Sequence, residues 1–167
     1  MSLTDSEIAA LAAELGRRLT ARGEFVATAE SCTGGLVAGA ITAIAGSSGW
    51  FDRGFVTYSN EAKVELLGLN PDTLEREGAV SEATARAMAD GAIRASRATL
   101  AVAVTGIAGP AGGTPAKPVG MVCFAWAMRD GPTTAATHHF LGDRDAVRRA
   151  SVIVALQGLI DRIGPAQ

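Results

Sequence analysis

Apolar residues recur at two different periods along the chain, and the switches between them predict its elements. Ile8, Leu11, Leu15 and Leu19 fall at three- and four-residue spacing, which predicts an amphipathic helix over residues 4–22, capped by Thr4 and stopped at Gly23. FVATAE at 25–30 predicts a short strand, followed by a turn and a small-residue helix through about Ala45. A strand is expected at about 53–58, then a short helix over EAKVELLGL with Asn60 as its cap. Pro71 and Gly78 punctuate an expected loop, and Ser81 with Glu82 opens a helix to about Ser96. TLAVAVTG at 99–106 is continuously apolar, as in a strand buried on both faces at the centre of a sheet. MVCFAWAM at 121–128 and TTAATHHFL predict two more strands. Residues 143–163 predict a last helix, capped by Asp143, with Val147, Ala150, Val154 and Leu156 to Ile160 inward. Helices and strands alternate early and strands run together late. That order predicts an α/β fold, a single three-layer α/β/α domain with a mixed sheet, over residues 1–167.

Composition narrows the function classes. With 48% hydrophobic and 19% charged positions in 167 residues, the chain can bury a sizeable core. A formal net charge of −2 supplies no basic footprint, so neither nucleic acid nor an anionic membrane is an expected partner, and an anionic ligand has to be held locally. The longest strongly apolar run, MVCFAWAM, falls far short of the ~20 residues that span a bilayer. The amino terminus has helical charge patterning and not that of a signal peptide, so a cytoplasmic location is expected. Cys32, Cys123 and two histidines form neither a disulfide framework nor a zinc-ligand spacing, so no metal and no cofactor is expected.

The chemistry-bearing positions concentrate in four segments. AESCTGG places Ser31 between a strand end and a helix start, beside N–H groups that a helix leaves unpaired. Ser31 can be a nucleophile there, or Ser31 or Thr33 can simply cap the helix; spacing leaves both open. The segment is not a G-x-S-x-G elbow, because Ala29 and Thr33 stand where glycines belong, although Gly34 and Gly35 permit close backbone approach. His138 and His139 adjoin in a strand and point to opposite faces, which makes histidine a poor candidate base. The alternative is a lysine with a lowered pKa, and the chain has only Lys63 and Lys117. Lys63 follows Tyr58 by one helical turn, so both can emerge on the sheet edge that bears Ser31; a solvated helix face is the competing reading. IAGPAGGTPAKPVG is dense in glycine and proline, and can be a phosphate cradle with Thr114 and Lys117 or a mobile connection. GDRDAVRRA places Arg144, Arg148 and Arg149 at a helix start, as surface charge or as contacts to a phosphate or a neighbouring subunit.

Taken together, TAESCTGGLVAGAIT, GSSGWFDRGFVTYSNEAKVELLG, GAVSEATA, AVTGIAGPAGGTPAKPVG and GDRDAVRRAS resemble the CinA carboxy-terminal family, and within it the stand-alone nicotinamide-nucleotide amidases, over about residues 5–160. The resemblance implies hydrolysis of the carboxamide of nicotinamide mononucleotide to nicotinic acid mononucleotide and ammonia, in pyridine-nucleotide recycling. It implies a three-layer α/β/α fold, a homo-oligomer, and a small-molecule nucleotide as substrate. By position it makes Ser31, Tyr58 and Lys63 the catalytic residues. Cys32, Thr33, Gly34, Gly35, Asn60, Thr105, Gly106, Gly112, Gly113, Lys117 and Arg144 are the corresponding substrate-binding positions. A non-catalytic nucleotide-binding regulatory module, an amidase for another small amide, and Cys32 as the nucleophile are the competing readings.

Overall fold

The computed structural model describes residues 3–164. Its elements are α1 (Leu3–Arg22), β1 (Val26–Glu30), α2 (Leu36–Thr42), β2 (Phe51–Val56), α3 (Asn60–Leu67), α4 (Pro71–Glu77), α5 (Glu82–Arg94), β3 (Leu100–Gly106), β4 (Met121–Met128), β5 (Thr134–His139) and α6 (Arg144–Ile163), with a 3₁₀ turn at Ser47–Gly49. The strands form one sheet in the order β2-β1-β3-β4-β5. β1 is parallel to both β2 and β3, whereas β4 is antiparallel to β3 and β5. The sheet is therefore mixed, as the order of elements predicts.

Alternation along the central strands gives the sheet two unlike faces. Val26, Val102, Val104, Phe124 and Trp126 meet α1, α2 and α6 through Leu15, Leu19, Ile41, Leu156 and Leu159. Ala27, Ala29, Ala101, Ala103, Ala125 and Ala127 line the other face, against Met88, Ala85, Ala89 and Ala92 of α5 and Leu67 of α3. Large side chains fill one interlayer space, while alanines allow helices to approach the opposite face closely. Within that layer α5 also packs tightly on α3: a Cβ at Gly91 would lie 2.3 Å from the Leu67 carbonyl oxygen.

Several boundaries differ from the sequence pattern. α1 is already helical at Leu3, so Thr4 lies in its first turn and is not a cap. β2 ends at Val56, which puts Thr57 and Tyr58 beyond the strand. Ser59, not Asn60, caps α3 by accepting the Ala62 N–H. The segment between Pro71 and Gly78 is helical: Asn70 accepts the Asp72 N–H and Pro71 occupies the first turn, where its missing N–H costs nothing. α2 stops at Thr42, short of Ala45. Ser81 and Asp143 cap α5 and α6 as expected. On α6, Val147, Leu156 and Ile160 are buried, whereas Ala150 and Val154 are only half-buried. The parallel arrangement brings the carboxyl ends of β1, β2 and β3 to one edge, where open α/β sheets place their ligands.

Candidate active site

β1 ends at Glu30, and five residues then turn the chain into α2. The Glu30 side chain is 1% exposed. Its Oε1 accepts the Val37 N–H at 2.8 Å and its Oε2 accepts the Ala38 N–H at 3.0 Å. A carboxylate thus satisfies two amides in the first turn of α2, at the helix end where the backbone dipole favours negative charge. Gly35 occupies the cap position with φ 100° and makes no side-chain cap bond. Neither Ser31 nor Thr33 is the cap, so the Ser31 hydroxyl is not held at the helix start. Gly34 and Gly35 have consecutive positive φ values of 59° and 100°, a conformation that side chains with a Cβ rarely adopt.

Ser31 Oγ lies 3.1 Å from Lys63 Nζ. Lys63 is 1% exposed, and its Nζ also donates to the Thr57 carbonyl at 2.9 Å and the Ser59 carbonyl at 3.4 Å. The solvated-face reading of this lysine fails: Ser59 starts α3 so that the residue one turn later points beneath Ser31. Burial pulls the Lys63 pKa below the ordinary lysine value, against the charges of Cys32 and Glu61. Burial also pushes the Cys32 thiol up to about 12, so at neutral pH it is uncharged and only Glu61 opposes the shift. As an ammonium, Lys63 donates to all three oxygens. As a neutral amine it gives two hydrogens to the carbonyls and turns its lone pair toward the Ser31 hydroxyl, the arrangement that accepts a proton. Cys32, buried and protonated, is unsuited to be the nucleophile.

A cleft of about 260 Å³ opens in front of Ser31, walled by Cys32, Tyr58, Gly106 and Arg144 and by Ile107, Ala108, Gly109, Ala111 and Gly112 of the loop. Tyr58 is 63% exposed, and its hydroxyl accepts from Arg144 Nη2 at 3.2 Å; this bond ties it to Arg144 and not to Lys63. Arg144 Nη1 donates to the Gly109 carbonyl at 2.9 Å, so one guanidinium spans two walls. The Gly34 N–H is taken by the Ser31 carbonyl, whereas the Cys32 and Thr33 N–H groups have no backbone acceptor among the described residues. Other positions lie apart from the cleft. Thr105 Oγ1 donates to the Ala79 carbonyl at 2.7 Å within the α5 layer. Asn60 borders a separate depression with Glu61 and Pro71. Gly113 packs on the Val119 backbone, and Lys117 Nζ donates to the Glu77 carbonyl at 2.7 Å, at the end of α4. His138 packs between the rings of Phe124 and Phe140, three strand spacings or about 14 Å across the sheet from β1. Among the described residues there is no cluster of His, Cys, Asp and Glu that could hold a metal.

The CinA C-terminal domain family matches residues 8–163. The chain belongs to this family. A nicotinamide-nucleotide amidohydrolase PncC of Escherichia coli (strain K12) is 55% identical to this CinA domain over 157 residues, covering 94% of this chain and 95% of that protein. One of the same name from Pseudomonas putida is 51% identical, covering 92% and 95%. Among solved structures, the competence/damage inducible protein CihA from Agrobacterium tumefaciens superposes with a TM-score of 0.93 at 51% identity, over 96% of this chain and 98% of that one.

The sequence presents two polar side chains that shape the CinA domain's cleft differently from the structure. Glu30 reads as a strand residue, because Ser31 and Thr33 stand nearer the helix start as candidate caps. Arg148 reads as surface charge or as a contact to a phosphate or a neighbouring subunit. Its Nε donates to the Cys32 carbonyl at 3.2 Å and its Nη2 to the Thr33 carbonyl at 3.1 Å, from α6 across to the turn. That contact is tertiary and no local pattern announces it.

Proposed function

We propose that the chain is a nicotinamide-nucleotide amidohydrolase that hydrolyses the carboxamide of nicotinamide mononucleotide through a Ser31–Lys63 pair. The observation that carries this reading is the 3.1 Å contact between Ser31 Oγ and a fully buried lysine amine at the floor of the cleft. The amidohydrolases of Escherichia coli and Pseudomonas putida, matched over nearly their whole length, support the choice of substrate.

Neutral Lys63 takes the Ser31 proton as Oγ attacks the carboxamide carbon. The carbonyl π-electrons move to oxygen, and the resulting oxyanion is met by the Cys32 N–H, the amide that follows the nucleophile. Lys63 returns the proton to the amide nitrogen, the C–N bond breaks and ammonia leaves. A water, deprotonated by the same amine, then attacks the Ser31 ester; Lys63 returns that proton to Ser31 Oγ as the ester C–O bond breaks, and the acid product leaves as its carboxylate with loss of a proton to solvent. The cleft volume of about 260 Å³ lies just below the ~300–1,000 Å³ typical of ligand pockets, so it suits the pyridine ring, with ribose and phosphate at the rim. There Arg144 retains donors beyond the two it uses, and the N–H groups of Ala108, Gly109, Ala111 and Gly112 have no backbone acceptor among the described residues. These groups hold the phosphate, in preference to Lys117, whose amine is tied to α4. Tyr58 forms a wall of the site and is oriented by Arg144.

We place the enzyme in the cytoplasm, as a homo-oligomer acting in pyridine-nucleotide recycling, with no nucleic-acid partner. The net charge of −2 supports the last point. No helix among the described residues is long and apolar enough to cross a membrane. The direct test incubates the protein with nicotinamide mononucleotide and follows ammonia and nicotinic acid mononucleotide. Equal appearance of both supports the reading, and binding without release of ammonia would leave a nucleotide-binding module in its place.

A further inference from the structure

Backbone bonds hold the turn that presents Ser31 only in part: the Gly34 N–H donates to the Ser31 carbonyl at 3.0 Å, the Leu36 N–H to the Thr33 carbonyl at 3.1 Å and the Gly39 N–H to the Gly35 carbonyl at 2.8 Å, which leaves the Cys32 carbonyl without a backbone donor among the described residues. Its last two residues, Gly34 and Gly35, are glycines at positive φ. Glycine reaches several backbone states at similar cost, so a Gly-Gly turn needs outside contacts to hold one set of peptide planes. Arg148 supplies them. The half-buried side chain comes from the second turn of α6 and donates to the Cys32 and Thr33 carbonyls at 3.2 and 3.1 Å.

A trans peptide sends its N–H opposite to its C=O. The Thr33 carbonyl, which accepts both Arg148 Nη2 and the Leu36 N–H, therefore fixes the Gly34 N–H, which donates to the Ser31 carbonyl at 3.0 Å. Fixing the Ser31 carbonyl in turn fixes the Cys32 N–H on the far side of that peptide. Meanwhile the Cys32 carbonyl, held by Arg148 Nε, keeps its oxygen on the α6 side and sends the Thr33 N–H away from it. If the Ser31–Cys32 plane flipped, a carbonyl oxygen would replace a donor beside the developing negative charge.

We propose that Arg148 is a positioning residue for the reaction: by clamping the Cys32 and Thr33 carbonyls it holds the turn so that the Cys32 N–H faces the cleft as the oxyanion donor. The inference rests on the amidohydrolase reading above. It separates Arg148 from Arg144, one turn earlier on the same helix, which faces the cleft and binds the substrate's rim.

The test replaces Arg148 with Met and with Lys and measures kcat, KM and the affinity for the pyridine-3-aldehyde analogue of the mononucleotide, which forms a tetrahedral hemiacetal with Ser31. Binding of nicotinamide mononucleotide itself is measured in a Ser31→Ala background. Loss of one oxyanion donor costs ~10²–10³ in kcat, so misorientation in Arg148→Met should lower kcat and aldehyde affinity together by about 10- to 100-fold. KM and ground-state binding should stay within about threefold, because the interaction acts on the transition state alone. Millimolar guanidinium should restore part of the lost kcat in Arg148→Met. If that variant does not fold, Arg148→Lys carries the test, with a smaller fall in kcat at unchanged KM. A purely structural role predicts a lower Tm with wild-type kcat and aldehyde affinity in the folded fraction, and that result overturns the inference. Wild-type protein that neither releases ammonia nor binds the aldehyde removes the amidohydrolase reading and this inference with it. Wild-type activity with indifferent Arg148 variants removes this inference alone.

Discussion

The ends of the neighbouring parallel strands β1 and β3 both run into glycine-rich backbone, and the two segments are organised in opposite ways. In residues 31–35, outside side chains hold the turn: Lys63 meets the Ser31 hydroxyl and Arg148 takes the carbonyls of Cys32 and Thr33. Glu30 fixes the start of α2 that follows. In residues 107–112, the amides of Ala108, Gly109, Ala111 and Gly112 have no backbone acceptor among the described residues, and the neighbouring lysine, Lys117, is drawn off to α4. The first segment is fixed before any ligand arrives, as a reaction that depends on sub-ångström placement of nucleophile and donors demands. The second offers open donors, as recognition of an anionic group demands. The two lysines of the chain follow the same division: the buried one lies at the nucleophile, and the half-buried one lies outside the cleft.

If the division is real, substitutions in the first segment should act on kcat and those in the second on KM. The largest effect is expected for Ser31→Ala, which removes the attacking atom and should lower ammonia release by about 10³-fold or more at unchanged substrate binding. Cys32→Ala should stay within about threefold of wild type, because its buried thiol, with a pKa near 12, is not an ionised nucleophile. Next comes Arg144→Ala. Hydrogen bonds to charged groups contribute ~1.5–3 kcal/mol, so KM for the mononucleotide should rise about 10- to 100-fold with kcat largely kept. Glu30→Ala leaves two amides of α2 without their acceptor and should lower unfolding free energy by about 1–3 kcal/mol in urea titration. The smallest effect is expected for Lys117→Ala, whose KM should remain within about twofold, since its amine contacts the Glu77 carbonyl and no cleft residue. A tenfold rise in that KM would shift the phosphate toward Lys117 and break the contrast between the segments.

The fold was legible where periodicity is strong. The apolar run at 99–106 is β3, the central strand, because no residue in it has to face water. The alternation that divides the sheet into a large-residue face and an alanine face was also written in the strands. Short polar elements were harder: PDTLERE contains a proline and reads as loop, yet proline in a first turn is compatible with a helix, and Asn70 supplies the cap. At the candidate site, Ser31 and Lys63 stood out as residue types, but their contact crosses 32 positions of sequence and needs β1 and β2 to be parallel neighbours. Thr105 and Asn60 sit in the same motifs as the cleft residues but point elsewhere, because alternate strand residues face opposite layers and helix residues rotate out of line. Arg148 could not be distinguished from its surface neighbours without knowing that α6 passes the turn.

The account turns on Lys63 acting as a neutral base, and its protonation fixes the direction of the pH effects. Burial lowers the folded-state pKa below that of the unfolded chain, so between the two values the unfolded state binds the extra proton and stability rises with pH. Activity rises with pH for the same reason, since only the neutral amine accepts the Ser31 proton. The most direct measurement is the pH profile of kcat/KM for nicotinamide mononucleotide in wild type and Lys63→Met. The account predicts a wild-type rate that climbs to a plateau with its inflection below the ordinary lysine value of 10.5, and a folded variant slower by ~10²–10⁴ without that limb. A folded Lys63→Met enzyme that keeps the same limb and runs within about tenfold of wild type would contradict it.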